Sequence, residues 1–171
     1  VREIPKTSFD EIVKMMVGRE LGERYPSRDA KIGEVALEVK GLTCPAVCKD
    51  INFQIRKGEI LAFAGLMGAG RTEVAQAIFG NLKKSKGEIL IHGEKVTIKN
   101  PIQAMKHGIG FVTEDRKTEG LVLDFSIKEN MFLTNLKLIA KGSFIQTQQE
   151  QLQAAKYIEQ LNIRCSDATQ A

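Results

Sequence analysis

The residues best suited to chemistry in this chain lie in one short stretch, Gly65-Leu66-Met67-Gly68-Ala69-Gly70-Arg71-Thr72. It fits the phosphate-binding pattern G-x-x-x-x-G-K-[ST] at every defined position except the lysine. Glycines in such a loop permit backbone angles that turn successive N–H groups toward one point. A helix that follows adds the partial positive charge of its N-terminus. The Thr72 hydroxyl can sit on a magnesium ion. Arg71 stands where a lysine would reach the outer phosphates. It keeps the charge, but its planar fork is bulkier and prefers bidentate contacts, so phosphate attraction can survive while catalytic placement is lost. The alternative is a glycine-rich strand-to-helix turn with no ligand. The flanking pattern favours the phosphate reading, because the motif requires a strand before it and a helix after it.

The elements that must position this loop are legible on both sides. Ile60-Leu61-Ala62-Phe63-Ala64 is apolar throughout and predicts a strand covered on both faces, with the loop at its C-terminal end. After the loop, Val74, Ile78 and Phe79 predict a helix with an apolar face, closed by Gly80. Upstream, Val35, Leu37 and Val39 alternate with polar or small residues, as do Ile51, Phe53 and Ile55; both runs predict half-buried antiparallel strands. Ile89, Ile91, Val96 and Ile98 predict a hairpin turning near His92-Gly93-Glu94-Lys95. Asn100-Pro101 is a helix start, and that helix should stop at Gly108. Ile109 to Thr113 predicts another short buried strand, ending at Glu114-Asp115-Arg116-Lys117. Ser126-x-x-Glu129 is a capping box opening the next helix, and Ala154, Tyr157, Ile158 and Leu161 share one face of a late one. Near the start, Ser8-x-x-Glu11 is a further capping box, followed by Phe9, Ile12, Val13 and Met16 on one helical face and Gly18 as the stop. The polar stretch from Leu21 to Gly33 reads as a linker, with a domain boundary near Ala30: residues 1–30 would end a preceding domain and 31–171 would begin another.

Composition narrows the function classes. At 43% hydrophobic residues, 171 residues can build a core rather than a disordered tail. The net charge of +4 comes from scattered Lys and Arg, with one short run at Lys83, Lys84 and Lys86; this describes a solvated surface rather than a nucleic-acid patch. With no Trp and two Tyr, base-stacking platforms are not expected either. The longest apolar runs, such as Ile60 to Leu66, are too short to span a bilayer, and the first thirty residues hold no signal-peptide core. A start at Val1 rather than Met suggests a piece of a longer protein. Cys44, Cys48 and Cys165 form no even-numbered disulfide framework, which fits a reducing cytoplasm. Cys44 and Cys48 are spaced C-x-x-x-C, but no second pair completes a zinc site, and His92 and His107 are distant in sequence.

The segment from Lys57 through Glu73 resembles the second nucleotide-binding domain of monosaccharide ABC importers, whose ATP-binding subunits fuse two such domains. Further pieces agree in order and spacing. Met15 to Leu21 resembles the end of the first domain, Glu114-Asp115-Arg116-Lys117-Thr118-Glu119-Gly120-Leu121 resembles the loop that faces the membrane permease, and Ser126 to Asn130 resembles the helix start after it. The Gly70-Arg71-Thr72-Glu73 ending favours sugar importers over nucleoside importers, which tend to have Gly-Gln-Ser-Glu there. The resemblance implies an α/β fold: a P-loop NTPase of the ABC type, with an antiparallel β-subdomain, a core strand–P-loop–helix and the start of a helical subdomain. It implies ATP and Mg2+ as cofactors, with Gly65, Leu66, Met67, Gly68, Ala69, Gly70, Arg71, Thr72 and Glu73 at the nucleotide and Thr72 and Glu114 near the metal. It also implies permease subunits and a second nucleotide-binding domain as partners, a separate periplasmic or surface sugar-binding protein as an indirect one, and a peripheral position on the cytoplasmic face of the membrane.

The chain departs from that family pattern in several places. Arg71 replaces the lysine. Glu114 replaces a glutamine, and an ionised carboxylate can bind magnesium but cannot donate a hydrogen bond. Gly41 to Val47, where the family stacks adenine on an aromatic ring, has no aromatic residue. Neither the Leu-Ser-Gly-Gly signature, nor an apolar strand ending in Asp-Glu, nor the switch histidine occurs before Ala171. These departures predict weak ATP binding and no hydrolysis by these residues alone. Two further readings compete. A small-molecule kinase usually has one strand before its loop, whereas here two alternating strands precede it. A non-catalytic interaction module on a P-loop scaffold would differ in failing to bind nucleotide.

Overall fold

The computed structural model of the chain describes residues 8–17 and 29–170. Two compact units emerge, the first comprising the residues up to Arg71 with Lys83–Thr97, the second Thr72–Leu82 with the residues from Ile98 onward. Most of the expected linker and the expected stop at Gly18 lie outside the described residues. Helix α1 (Phe9–Val17) forms with its predicted cap, the Glu11 N–H donating to Ser8 Oγ at 3.2 Å. Its apolar Phe9, Ile12 and Met16 are exposed.

The first unit is built on a four-stranded antiparallel sheet of order β2-β1-β3-β4, from β1 (Val35–Cys44), β2 (Cys48–Arg56), β3 (Lys86–Ile91) and β4 (Glu94–Val96). Side chains alternate faces along a strand, so the predicted apolar runs become rows across the sheet. One row joins Ile55, Leu37 and Ile91, and the next joins Phe53, Val39, Ile89 and Val96. Val39 and Ile89 are fully buried at its centre, with Leu42 and Cys44 beyond them. The other face pairs Glu38 with Gln54 and Lys40 with Glu88. The β3–β4 turn is tighter than predicted: His92 and Gly93, both at positive φ, form a two-residue loop whose twist matches antiparallel strands. Where β1 shifts register between Lys40 and Thr43, Gly87 sits at φ 104°, and a Cβ there would lie 2.6 Å from Leu42 Cα. The close approach of the two backbones therefore requires glycine.

In the second unit, most of helix α2 (Arg71–Phe79) buries Val74, Ala77 and Ile78. Helix α3 (Pro101–Lys106) starts as predicted, Asn100 Oδ1 accepting from the Gln103 N–H at 3.0 Å. Helix α4 (Ile127–Phe132) carries the full capping box: the Ser126 N–H donates to Glu129 Oε2 at 2.8 Å, and the Glu129 N–H donates to Ser126 Oγ at 3.4 Å. Phe132, Ile139 and Ala154 of α5 (Thr147–Gln160) form a small core flanked by Met131, Tyr157 and Ala168. At its margin Lys128 and Glu150 pair at 2.8 Å, both side chains largely buried, and this contact holds the Lys128 ammonium above its usual range.

Two predicted strands do not form. Ile60–Ala64 pairs with no strand among the described residues, and Ile60 and Phe63 are exposed. Ile109–Thr113 likewise carries no ladder, and Val112 is almost completely exposed. A strand buried on both faces exists only where neighbours supply its hydrogen bonds and its covering layers. The described residues supply neither to these segments, so their apolar composition does not become a strand here. Phe63 nonetheless packs edge-on against Phe53 of β2, with ring centroids 5.0 Å apart.

Candidate functional site

The loop begins in the first unit. Leu66 to Ala69 make a tight turn, the Ala69 N–H donating to the Leu66 carbonyl at 3.1 Å, with Gly68 at φ 80° in the third position. That arrangement suits glycine, because a side chain at positive φ is strained. Gly70 is also left-handed, at φ 79°. Gly65 and Ala69 approach closely, since a Cβ at Gly65 would lie 3.1 Å from Ala69 Cβ. Leu66 and Met67 point into solvent, 85% and 96% exposed, so these two positions contribute backbone rather than packing. Among the described residues, the N–H groups of Gly68 and Gly70 donate to no backbone carbonyl, and Arg71 makes no ion pair. The donor set is therefore uncommitted, as an anion site of backbone amides and one guanidinium requires.

The oxygen-bearing residues come together in the second unit. The Thr72 hydroxyl donates to Glu114 Oε2 at 3.1 Å, forty-two residues away in sequence. Two contacts at opposite ends of α2 account for this. Phe111 stacks on Phe79, ring centroids 5.4 Å apart, and Glu114 meets Thr72. Seven residues of helix rise about 10 Å, and three extended residues reach about 10 Å, so the segment 111–114 spans the helix from its end to its start. A hydroxyl and a carboxylate side by side are the hard oxygen ligands that magnesium takes. Glu73, also named from the sequence, lies in the first turn of α2 and makes no hydrogen bond or ion pair among the described residues.

Beyond Glu114 the chain makes a feature that the sequence did not suggest, one wide turn of π-type from Arg116 to Gly120. Asp115 organises it: one carboxylate oxygen accepts from the N–H groups of Lys117 at 2.8 Å and Thr118 at 3.2 Å. These bonds hold the Asp115 carboxyl below its ordinary range. Asn130 then pins the following segment, its Nδ2 donating to the carbonyls of Val122 and Phe125 and its Oδ1 accepting from Val122 N–H. An apolar cleft of about 330 Å³ opens beside this segment, lined by Leu121, Leu123, Phe125, Met131 and Ile163. Gly41 to Val47 contains no aromatic residue, and Phe53 and Phe63 are engaged with each other.

Similarity to known proteins follows the same outline. Residues 48–171 match the ABC transporter family. Over 170 residues the chain is 51% identical to a ribose import ATP-binding protein RbsA of Bacillus cereus, covering 99% of this chain and 34% of that protein. It is 47% identical over 165 residues to the protein of that name from Geobacillus kaustophilus, covering 96% and 33%. For Streptococcus agalactiae the figures are 52% over 143 residues, covering 84% and 29%. The chain thus spans about a third of the length of these relatives. Two solved structures share the fold at 20% identity. They are cbiO1 from Clostridium perfringens, part of the ABC transporter complex cbiONQ (TM-score 0.56, covering 80% of this chain and 53% of that one), and the ATP-binding cassette MJ0796 in a dimeric post-hydrolysis state bound to ADP and Pi (TM-score 0.57, covering 78% and 60%). A mixed α/β architecture with an antiparallel sheet, a glycine loop feeding a helix, and a family match across more than half of the sequence agree on one assignment: the chain belongs to the ABC transporter family.

Proposed function

We propose that this chain is part of the ATP-binding subunit of a monosaccharide importer, with ribose as the sugar suggested by the relatives' names. The observation that carries the nucleotide reading is the Thr72–Glu114 pair at 3.1 Å, directly following a loop whose amides and Arg71 are uncommitted. In that reading Gly65 to Glu73 receive the phosphates, Gly68 and Gly70 through backbone N–H groups and Arg71 through its guanidinium. Thr72 and Glu114 would hold a magnesium ion. Bound ATP supplies the phosphate chain and magnesium the neutralising charge; the residues of this chain orient both. The turn from Arg116 to Gly120 and the apolar cleft beside it offer a surface to permease subunits at the cytoplasmic face of the membrane. A second nucleotide-binding domain and, indirectly, a sugar-binding protein complete the system.

The site is built for binding more than for turnover. Arg71 in place of lysine, Glu114 in place of glutamine and the missing aromatic platform each weaken a step of hydrolysis or adenine capture. Uptake of radiolabelled ribose by cells carrying or lacking the gene for this chain tests the import reading. Ribose uptake should fall on deletion while uridine uptake holds; unchanged ribose uptake with lost uridine uptake would move the assignment to a nucleoside importer. Calorimetry with ATP separates both from a scaffold that binds no nucleotide.

A further inference from the structure

We propose that Cys44 and Cys48 are a reversible dithiol–disulfide pair that tethers the turn lying against Gly70 of the glycine loop. The two residues face each other in register where β1 passes into β2. Directly opposed antiparallel residues have Cα atoms about 4.5–5.5 Å apart, inside the roughly 4.4–6.8 Å that a disulfide accepts. Both thiols are free.

The three residues between them connect this pair to the loop. Pro45, Ala46 and Val47 form the turn, closed by the Val47 N–H donating to the Cys44 carbonyl at 3.1 Å. Ala46 sits at φ 60°, a left-handed conformation that alanine adopts rarely, so the turn has a reason to relax. The Val47 carbonyl oxygen would lie 3.3 Å from a Cβ at Gly70, so any shift of the turn is felt by the loop. A cross-link at the base of the turn holds Val47 where it is.

The two cysteines divide the chemistry by position. Cys48 is partly exposed and meets an oxidant first; Cys44 is buried behind it and acts second, burial pushing its thiol up. With a small disulfide as oxidant, the Cys48 thiolate attacks one of its sulfurs and expels a thiolate, leaving a mixed disulfide. Cys44 then gives up its proton and attacks the Cys48 sulfur, expelling the second thiolate. Two electrons pass from the cysteine sulfurs to the oxidant, and the two protons end on its two thiols. The nearby, half-buried Lys84 offsets part of that rise, its charge favouring the Cys44 thiolate.

Treating the 171-residue chain with oxidised glutathione, followed by alkylation and mass spectrometry, tests the pair. The expected product loses about 2 Da, maps to Cys44–Cys48 with Cys165 alkylated, and reverts with dithiothreitol. Amide exchange of Val47 should slow at least about fivefold on oxidation, and the Gly70 amide resonance should shift. Cys48→Ser, at the more exposed position, should abolish both effects, and Cys165→Ser neither. A stable glutathione adduct without the 2 Da loss, a bond through Cys165, or oxidation that leaves Val47 exchange and the Gly70 resonance unchanged overturns the proposal.

Discussion

Thr72 and Glu114 meet through one hydrogen bond, the hydroxyl donating to the carboxylate at 3.1 Å, although forty-two residues separate them. The contact sets a hard-oxygen pair at the start of α2. If it receives magnesium beside a phosphate, the metal should matter to nucleotide affinity and each residue should matter through the metal. Thr72→Ala and Glu114→Ala should each abolish most of the magnesium-dependent gain in ATP affinity seen by calorimetry, while leaving magnesium-free binding within about twofold. An equal loss with and without magnesium would place both residues in the fold rather than at the metal.

The Asp115 turn gives a pH prediction. Its carboxylate accepts two backbone N–H bonds that hold its pKa below the unfolded value of about 3.9. A group depressed on folding contributes stability that is present above its unfolded pKa and lost as pH falls through its folded one. The turn from Arg116 to Gly120 should therefore keep its amide shifts down to about pH 4 and lose them below. Asp115→Asn should flatten this transition; an Asp115 carboxyl titrating above 4 by NMR would contradict the assigned hydrogen bonds.

Gly87→Ala probes the close approach of β1 and β3. A methyl 2.6 Å from Leu42 Cα has no flexible side chain to displace, and φ 104° is foreign to alanine. The substitution should destabilise the first sheet by about 2 kcal/mol or more in urea unfolding. Gly93→Ala, where nothing lies within 4 Å, should cost less, because only its φ of 80° is strained.

What could be read from the sequence divides along the range of the interaction. Asn100-Pro101 and Ser126-x-x-Glu129 announced their helices because a cap and its partner are three residues apart. The rows through Val39 and Ile89 followed from alternation, which a single strand carries in its own sequence. Ile60–Ala64 and Ile109–Thr113 failed for the opposite reason: their apolar residues state a need for neighbours, and whether neighbours arrive is a property of the rest of the fold. The Lys128–Glu150 pair and the facing of Cys44 and Cys48 were likewise missed. The first joins residues twenty-two apart with no local signature, and the second depends on a three-residue turn whose register the spacing does not fix. Glu114 beside Thr72 was expected only through the family resemblance, since nothing local links a carboxylate to a loop forty-two residues earlier.

Lys128 and Glu150 allow that missed pair to be weighed. Their side chains are 17% and 8% exposed, so removing one leaves the other desolvated. Lys128→Met should cost about 2 kcal/mol in urea unfolding, because the Glu150 carboxylate then lacks its partner. The double variant Lys128→Met/Glu150→Leu should recover at least half of that loss. Additive losses would mean that the two side chains stabilise the core independently.

The sharpest prediction concerns turnover. These 171 residues should not hydrolyse ATP, and Arg71→Lys should not rescue them. Phosphoryl transfer to water needs charge stabilisation, a positioned magnesium ion and an oriented nucleophile. The lysine would repair part of the first need. Glu114 accepts the Thr72 hydrogen bond and, ionised, has no proton with which to orient water. No Asp-Glu strand and no Leu-Ser-Gly-Gly segment occurs in the sequence to supply the base or to close over the outer phosphate. Loss of one preorganised charge-stabilising group costs on the order of a hundredfold or more, and several are missing together. Phosphate release should therefore match a buffer blank for the wild-type chain and for Arg71→Lys. A rate above about 0.01 per second in the purified variant, abolished by Thr72→Ala, would show that this site turns over after all.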